Sequence, residues 1–268
     1  MSAPEVGPLP LDVVDLAIAG SLVLVAGLVS LAMRLGLGKK MAVASLRTVV
    51  QLVLIGYSLQ WVFGLDSAPM VMAWLGLMVV AAGKAAVDRS SRTYPGVMRD
   101  AWLTLVIAAT VTTFTVTGVV VGVDPWYEPQ YLIPLMGMCL GNTLTGLSLC
   151  IDSLLESFSE RRQEVELLLS LGANRWEAAK GMVQAAVRRG MVPILNAMSV
   201  VGIVSLPGMM TGQILAGADP LEAVKYQMVV MFMLAASTAL GCIVLTWLAY
   251  RRLFNDRHQL RAERIVRS

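Results

Sequence analysis

Asp219-Pro220-Leu221-Glu222 opens a run that stays almost wholly apolar from Ala223 to Ala249 and closes on Tyr250-Arg251-Arg252. The aspartate is an N-cap residue, the proline suits the first helical position and Glu222 suits the first turn, so a helix starts here. The stretch 223–249 exceeds the roughly 20 apolar residues that cross a hydrocarbon core of about 30 Å. It reads as a membrane span that begins among acids and ends among cations.

The same pattern repeats along the chain. Six further spans are predicted at about 11–33, 41–63, 68–86, 101–123, 130–153 and 191–216, which makes seven. The stretch 104–123 is rich in Thr and Val and has strand propensity, but a lone strand in hydrocarbon leaves its backbone groups unpaired, so helix is expected. A chain of 268 residues that is 57% hydrophobic and 15% charged lies outside the range of ordinary soluble domains. The expected class is an all-α polytopic membrane protein.

Charge sets the expected orientation. Nineteen of the 21 Lys and Arg residues fall in four patches, Arg34 to Lys40, Lys84 to Arg99, Arg161 to Arg189 and Arg251 to Arg267. The intervening loops carry Asp66, Asp124 with Glu128, and Asp219 with Glu222, and Lys225 is their one cation. By the positive-inside rule the patches are cytoplasmic. Each follows an odd number of crossings, which puts the N-terminus outside and the C-terminus in the cytoplasm. The net charge of +3 reflects these patches and contact with anionic lipid, with no nucleic-acid motif. Cys139, Cys150 and Cys242 all fall within spans and are odd in number, against a disulfide framework. Met1 to Pro10 lacks Lys and Arg, so the first apolar run is not expected to be a cleaved signal peptide. One membrane domain, 1–268, is the economical reading, with helices of 154–190 and the tail 251–268 on the cytoplasmic side.

No Gly-Pro break interrupts the chain between Gly146 and Leu171, so a helix from Pro134 to Leu171 is predicted. At 1.5 Å per residue it is about 57 Å long and must project from the membrane. Gly172 is a plausible C-cap, and Asn174 with Glu177 forms a capping-box pattern that opens a second helix to about Gly190. Glu166-Leu-Leu-Leu-Ser-Leu-Gly172-Ala-Asn-Arg-Trp176-Glu177 thus forms a knob carrying leucines, a tryptophan and charges. Such a knob can dock a soluble partner or lie on the lipid surface as an amphipathic connector.

Polar residues at membrane depth are the path candidates. Arg47 and Gln51 share a face of the second span, although Arg47 can also snorkel to the cytoplasmic end. Met138, Asn142, Thr145 and Asp152 share a side of the fifth span, with Thr143 beside them, and either line a path or bond neighbouring helices. Gly137 and Gly141 permit close helix packing. Pro207-Gly208 should kink the sixth span ahead of Met209, Met210, Thr211 and Gln213, as a gate or a passive bend. The 17 methionines suit soft metals such as Cu(I), but methionine is also a common gap-filler, and core packing is the expected role of most. The single histidine, His258, lies in the tail.

Catalytic signatures are missing. There is no H-E-x-x-H, no G-x-S-x-G and no phosphate-binding P-loop; Gly83-Lys84-Ala85 lacks the upstream glycine and the hydroxyl that would meet magnesium. This argues against an enzyme. An ATP-independent channel or secondary transporter would use paired ionisable groups in the membrane, and Arg47 alone is a thin relay.

Three strings carry a resemblance. Ser45-Leu-Arg47-Thr-Val-Val-Gln51-Leu, Pro134-Leu-Met-Gly-Met-Cys-Leu-Gly-Asn142-Thr-Leu-Thr-Gly146 and Val201-Gly-Ile-Val-Ser-Leu-Pro207-Gly-Met-Met-Thr-Gly-Gln213-Ile-Leu-Ala-Gly resemble the FetB-type permease family over about residues 40 to 250. The knob itself is similar to the coupling loop of ABC-transporter permeases. The resemblance implies a bacterial inner-membrane permease that dimerises with a second copy of itself and pairs with a cytoplasmic ABC ATPase subunit. ATP and magnesium would sit on that partner, and no cofactor on this chain. Coupling would run through Glu166, Leu171, Gly172, Ala173, Asn174, Trp176 and Glu177. The family's bacterial member is linked to iron export and its plant relatives to aluminium tolerance, which points to a metal ion as substrate. An organic solute such as a nucleotide sugar is the alternative cargo. The metal ligands are left unassigned.

Overall fold

The structure, a computed structural model, describes residues 11–64, 67–255 and 259–267. The stretch 1–10, Asp66 and His258 lie outside the described residues. The element order is α1 (Val13–Ala32), α2 (Gly38–Gly64), α3 (Ala68–Asp88), β1 (Arg92–Thr93), α4 (Val97–Thr115), α5 (Pro129–Glu160), α6 (Arg162–Ser170), α7 (Arg175–Val200), α8 (Gly208–Leu215), α9 (Pro220–Leu253) and β2 (Val266–Arg267). The chain is all-α and polytopic, and six helices among the described residues are long and apolar enough to cross a membrane.

The Thr/Val stretch is helical, α4 running on as a π-helical extension, Val116–Val121. Thr112, Thr115 and Thr117 donate their hydroxyls to the carbonyls of Ala108, Val111 and Thr113 at 2.7, 2.7 and 3.0 Å. These three hydroxyls are thereby satisfied inside the helix, whereas Thr104 Oγ1 is buried without a hydrogen-bond partner.

Two compact units are formed. The first is Met1–Asp66 with Gly212–Ala218. Within it α1 and α2 pack together through a turn in which Ser30 Oγ accepts from Leu37 N at 3.2 Å, and Arg34 and Gly36 adopt positive φ of 53° and 69°. The exposed surface of both helices is largely Leu and Val, the composition of a lipid-facing wall.

The second unit is Ser67–Thr211 with Asp219–Ser268. Helix α5 is its centre, with α3, α4, α7 and α9 packed around it. Small residues set the closest approach. A Cβ on Gly190 would stand 2.8 Å from Gly146 O, 2.6 Å from Cys242 Sγ and 2.9 Å from Cys150 Cβ, and one on Gly241 would stand 2.6 Å from Thr143 Cγ2. Helices α5, α7 and α9 therefore meet nearly backbone to backbone, the packing mode expected where lipid offers no hydrophobic drive. Gly137 and Gly141 are not at this junction: a Cβ on Gly137 would meet only Met78 Cε, and one on Gly141 nothing within 4 Å. Cys139, Cys150 and Cys242 are free and buried.

One end of this unit gathers four segments. The Phe158 ring packs edge-on against Phe254 at 5.7 Å and Trp176 against Tyr250 at 5.7 Å, joining the end of α5, the start of α7 and the end of α9. The α3–α4 turn joins them, since β1 pairs antiparallel with β2, Arg92 opposite Arg267 and Thr93 opposite Val266.

Three expectations change. The span predicted at 191–216 is not one helix: α7 ends at Val200 and α8 begins at Gly208. The helix opened by Asn174 does not stop near Gly190 but runs through Gly190 and Pro193, because Gly190 is a packing contact here. The helix predicted from 134 to 171 starts earlier, at Pro129, and breaks at Arg161, where φ −101° and ψ 26° leave the helical region. Arg161 Nε and Nη2 there hold Glu164 at 2.7 and 2.5 Å, so α6 sets off as a separate helix.

Candidate coupling surface and membrane path

The knob is built by local chemistry. Gly172 adopts φ +94°, with nothing within 4 Å of a Cβ position, so the turn needs glycine for its backbone alone. Asn174 Oδ1 accepts from Trp176 N at 2.9 Å and Glu177 N at 3.0 Å, while Glu177 Oε2 accepts from Asn174 N at 2.8 Å. This is the reciprocal capping box read in the sequence. Arg162 Nε holds Glu166 Oε1 at 2.6 Å along α6, and the hydrogen bond from Arg161 holds the Glu164 carboxyl below its ordinary range. Leu167, Leu171 and Trp176 are 58%, 75% and 43% exposed around the turn, and Ala173 lies within it. Val165, on the other face of α6, is completely buried.

The knob is also tied to the bundle. Trp176 meets Tyr250, Tyr250 meets Phe254 at 5.4 Å, and Phe254 meets Phe158, with Arg175 Cζ 5.9 Å above the Tyr250 ring. The turn is therefore joined by contacting rings to the ends of α5 and α9.

A second polar cluster lies at the same end and is absent from the expectations above. Asp100, 2% exposed, receives Arg252 Nε at 2.6 Å, Arg252 Nη2 at 2.8 Å and the Tyr94 hydroxyl at 2.8 Å. Gly96 at φ +96° leaves room for the guanidinium, since a Cβ there would stand 2.8 Å from Arg252 Nη1. The available signal is an aspartate set directly after Arg99 in a basic patch, Lys84, Arg89, Arg92 and Arg99, whose one other acid is Asp88. Asp152 likewise leaves the predicted stripe: it accepts from Ser90 Oγ at 2.8 Å and Ser91 N at 2.7 Å, capping the α3–α4 turn.

The path candidates are distributed unevenly. Asn142 Nδ2 donates to Met138 O at 3.0 Å and Thr145 Oγ1 to Gly141 O at 3.1 Å, so both bond their own helix, and Met138, Asn142 and Thr145 stay half-buried. Thr143 differs: it is fully buried with its hydroxyl 2.8 Å from Ser237 Oγ, an α5–α9 link. Arg47 and Gln51 are exposed on α2, on the face opposite Ser45, which lines the cleft toward α1.

The Pro207 region is a complete break. Beyond Val200, Gly202 takes φ +84° and donates to Ser205 O at 2.9 Å, and Pro207 O accepts Thr211 N at 3.0 Å and Thr211 Oγ1 at 3.1 Å as α8 starts. Proline does not kink a continuous helix here; it stands directly before a new one. Met209 and Met210 are half-buried on α8. Gln213 Oε1 is buried without a hydrogen-bond partner. A cavity of about 430 Å³ lies between the break, Met210 and the first turns of α9. Irregular backbone at membrane depth is tolerated where it lines such a space. Among the described residues no group of three or more His, Cys, Asp or Glu converges as a metal site.

A family model described as an uncharacterised protein family, UPF0014, matches residues 13–254. The chain is 34% identical over 247 residues to the probable iron export permease protein FetB of Escherichia coli, covering 92% of this chain and 93% of that protein. It is 34% identical over 253 residues to the UPF0014 membrane protein YjkA of Bacillus subtilis, covering 94% and 99%. Against the protein ALUMINUM SENSITIVE 3 of Arabidopsis thaliana the identity is 33% over 238 residues, covering 89% and 86%. No solved structure matches. A family model that spans the helical body, and relatives matched over almost their whole length, make this chain a multi-pass membrane protein of the UPF0014 family.

Proposed function

We propose that the chain is the membrane permease subunit of an ATP-driven exporter of iron or a related metal ion, working as a homodimer in a bacterial inner membrane with a separate cytoplasmic ABC ATPase. The observation that carries this reading is the knob at 166–177, where exposed Leu167, Leu171 and Trp176 surround a glycine turn that is joined by edge-on ring contacts to α5 and α9. A partner gripping those side chains would move α5, which carries Asn142, and α9, which lines the cavity at the 201–207 break. The name of the bacterial relative, a probable iron export permease, supports membrane export of a metal, and the name of the plant relative refers to aluminium sensitivity.

The orientation proposed has seven crossings, with the N-terminus outside. Its support is the shared end of α5, α7 and α9: between Phe158 and Phe254 the chain leaves that end and returns, as two passes would have it do. Helix α9 is one, and α7 with the break and α8 is the other. The four basic patches then stay on one side.

Alternating access follows if ATP-driven closure of the partners favours one arrangement of α5, α7 and α9 over another, since only differential contact with two states can couple them. The test is ATP-dependent ferrous-ion uptake into inside-out proteoliposomes containing this chain and its partner, with a hydrolysis-dead partner as control. Uptake with the active partner alone is the expected result. Permease-stimulated ATPase without uptake would move the search to other metals and organic solutes.

A further inference from the structure

The cavity beside the broken helix has a donor set that the metal reading leaves unused. Of the residues lining it, four are methionines: Met198 near the end of α7, Met210 on α8, and Met228 and Met231 on α9. Gln227 lines it as well, is 6% exposed, and keeps its Oε1 buried with no hydrogen-bond partner. Phe232 flanks the mouth, where Met228 is 49% exposed and gives access from the surface of the unit. None of the lining residues ionises.

Three physical arguments narrow the ligand. An amide oxygen buried without a partner costs about 1–3 kcal/mol, so a site that retains one has a use for an acceptor. Thioethers are soft donors that select soft metal ions, and their flexible stems can close about an ion smaller than the cavity. The cost of moving an ion out of water rises with the square of its charge, so a divalent ion costs roughly four times a monovalent one where no carboxylate compensates it. A neutral, sulfur-rich lining with one carbonyl and an aromatic face thus suits a soft monovalent cation and disfavours bare ferrous ion.

We propose that the cavity formed by Met198, Met210, Met228, Met231 and Gln227 is a binding site for a soft monovalent metal ion of the Cu(I) or Ag(I) class. Its role as a station on an export path rests on the transport reading above; occupancy itself does not. Packing of the remaining methionines in the core is unaffected.

Silver is the probe, because Ag(I) shares the softness and charge of Cu(I) without its redox chemistry. The full chain, labelled with 13C at the methionine methyls and held in lipid nanodiscs, is titrated with Ag(I) in the absence of any ATPase. The resonances of Met198, Met210, Met228 and Met231, assigned by single Leu substitutions, are expected to shift together before those of the other 13 of the 17 methionines, whatever silver the three buried thiols take up. Met210→Leu with Met228→Leu should raise the silver needed to shift Met231 about tenfold or more, a volume-conserving change at half-buried and exposed positions that leaves the fold intact. Ferrous ion added alone should leave these methyls unbroadened. Uniform shifts across all methionines, a Met231 response unchanged in the double variant, or selective broadening by ferrous ion would each overturn the proposal. A negative result here leaves ATP-driven export standing, and failure of ferrous uptake leaves a silver site standing.

Discussion

Tyr94 donates to a carboxylate that is itself clamped by Arg252, and burial, reinforced by the neighbouring Asp100 charge, pushes its phenol far above the ordinary range. The sign of the linkage follows. In the unfolded chain the phenol ionises near pH 10, whereas the folded protein holds the proton, so this contribution is complete below about pH 10 and is lost as the pH rises above it. Thermal unfolding in detergent should therefore decline more steeply above pH 10 in the wild type than in Tyr94→Phe; parallel curves would remove the assigned role. Gly190 makes a second residue-scale case. Gly190→Ala forces a methyl to within 2.6 Å of Cys242 Sγ and 2.8 Å of Gly146 O. A loss of about 2 kcal/mol is expected, read as a lowered unfolding temperature, while Gly181→Ala, with open space at its Cβ, should be near neutral or stabilising.

At the scale of elements, the α6–α7 turn and the α5 polar stripe carry separable roles. Gly172→Val places a β-branched residue at φ +94°, costing about 1–3 kcal/mol confined to the turn. Glu177→Lys removes one arm of the capping box and reverses a first-turn charge. Both variants should insert and assemble but hydrolyse ATP without matching transport, measured as the ratio of the two rates; wild-type coupling in both would remove the docking role. Asn142 bonds only to its own helix, so Asn142→Leu should lower transport at least severalfold without loss of thermal stability. Thr143→Ala should do the opposite, lowering stability by about 1 kcal/mol through the lost Ser237 link while transport per folded molecule is retained. Equal behaviour of the two would merge path and packing.

For the whole molecule, the ring contacts at one end make a topological prediction. Leu171 and Leu221 are 75% and 73% exposed, at the knob and at the start of α9. With seven crossings, L171C in spheroplasts should react only with a membrane-permeant maleimide, and L221C with an impermeant one as well. Labelling of both from the same side would return the chain to six crossings and make the α7–α8 segment re-entrant. The two compact units also differ in kind. The α1–α2 unit exposes largely Leu and Val, whereas the α5-centred unit holds the junction of Gly146, Gly190 and Gly241 and nearly all of the buried core among the described residues.

Much of this was legible in the residues. The alternation of apolar runs with basic patches determined an all-α polytopic membrane protein, because no other secondary structure satisfies its own backbone in hydrocarbon. Asn174 with Glu177, Asp219 with Pro220 and Glu222, and Gly172 determined their helix boundaries, because caps act within four residues and need no tertiary partner. The tertiary structure alone decided that 191–216 breaks at Val200, that Gly190 lies inside a helix, and that Thr143 bonds to α9 and Asp152 to the α3–α4 turn. It also decided that Asp100 meets Arg252 across 152 positions of chain, and that methionines from α7, α8 and α9 share one cavity with Gln227. Contacts between distant segments depend on how helices rotate and cross, and that geometry is set by the packing of all of them together.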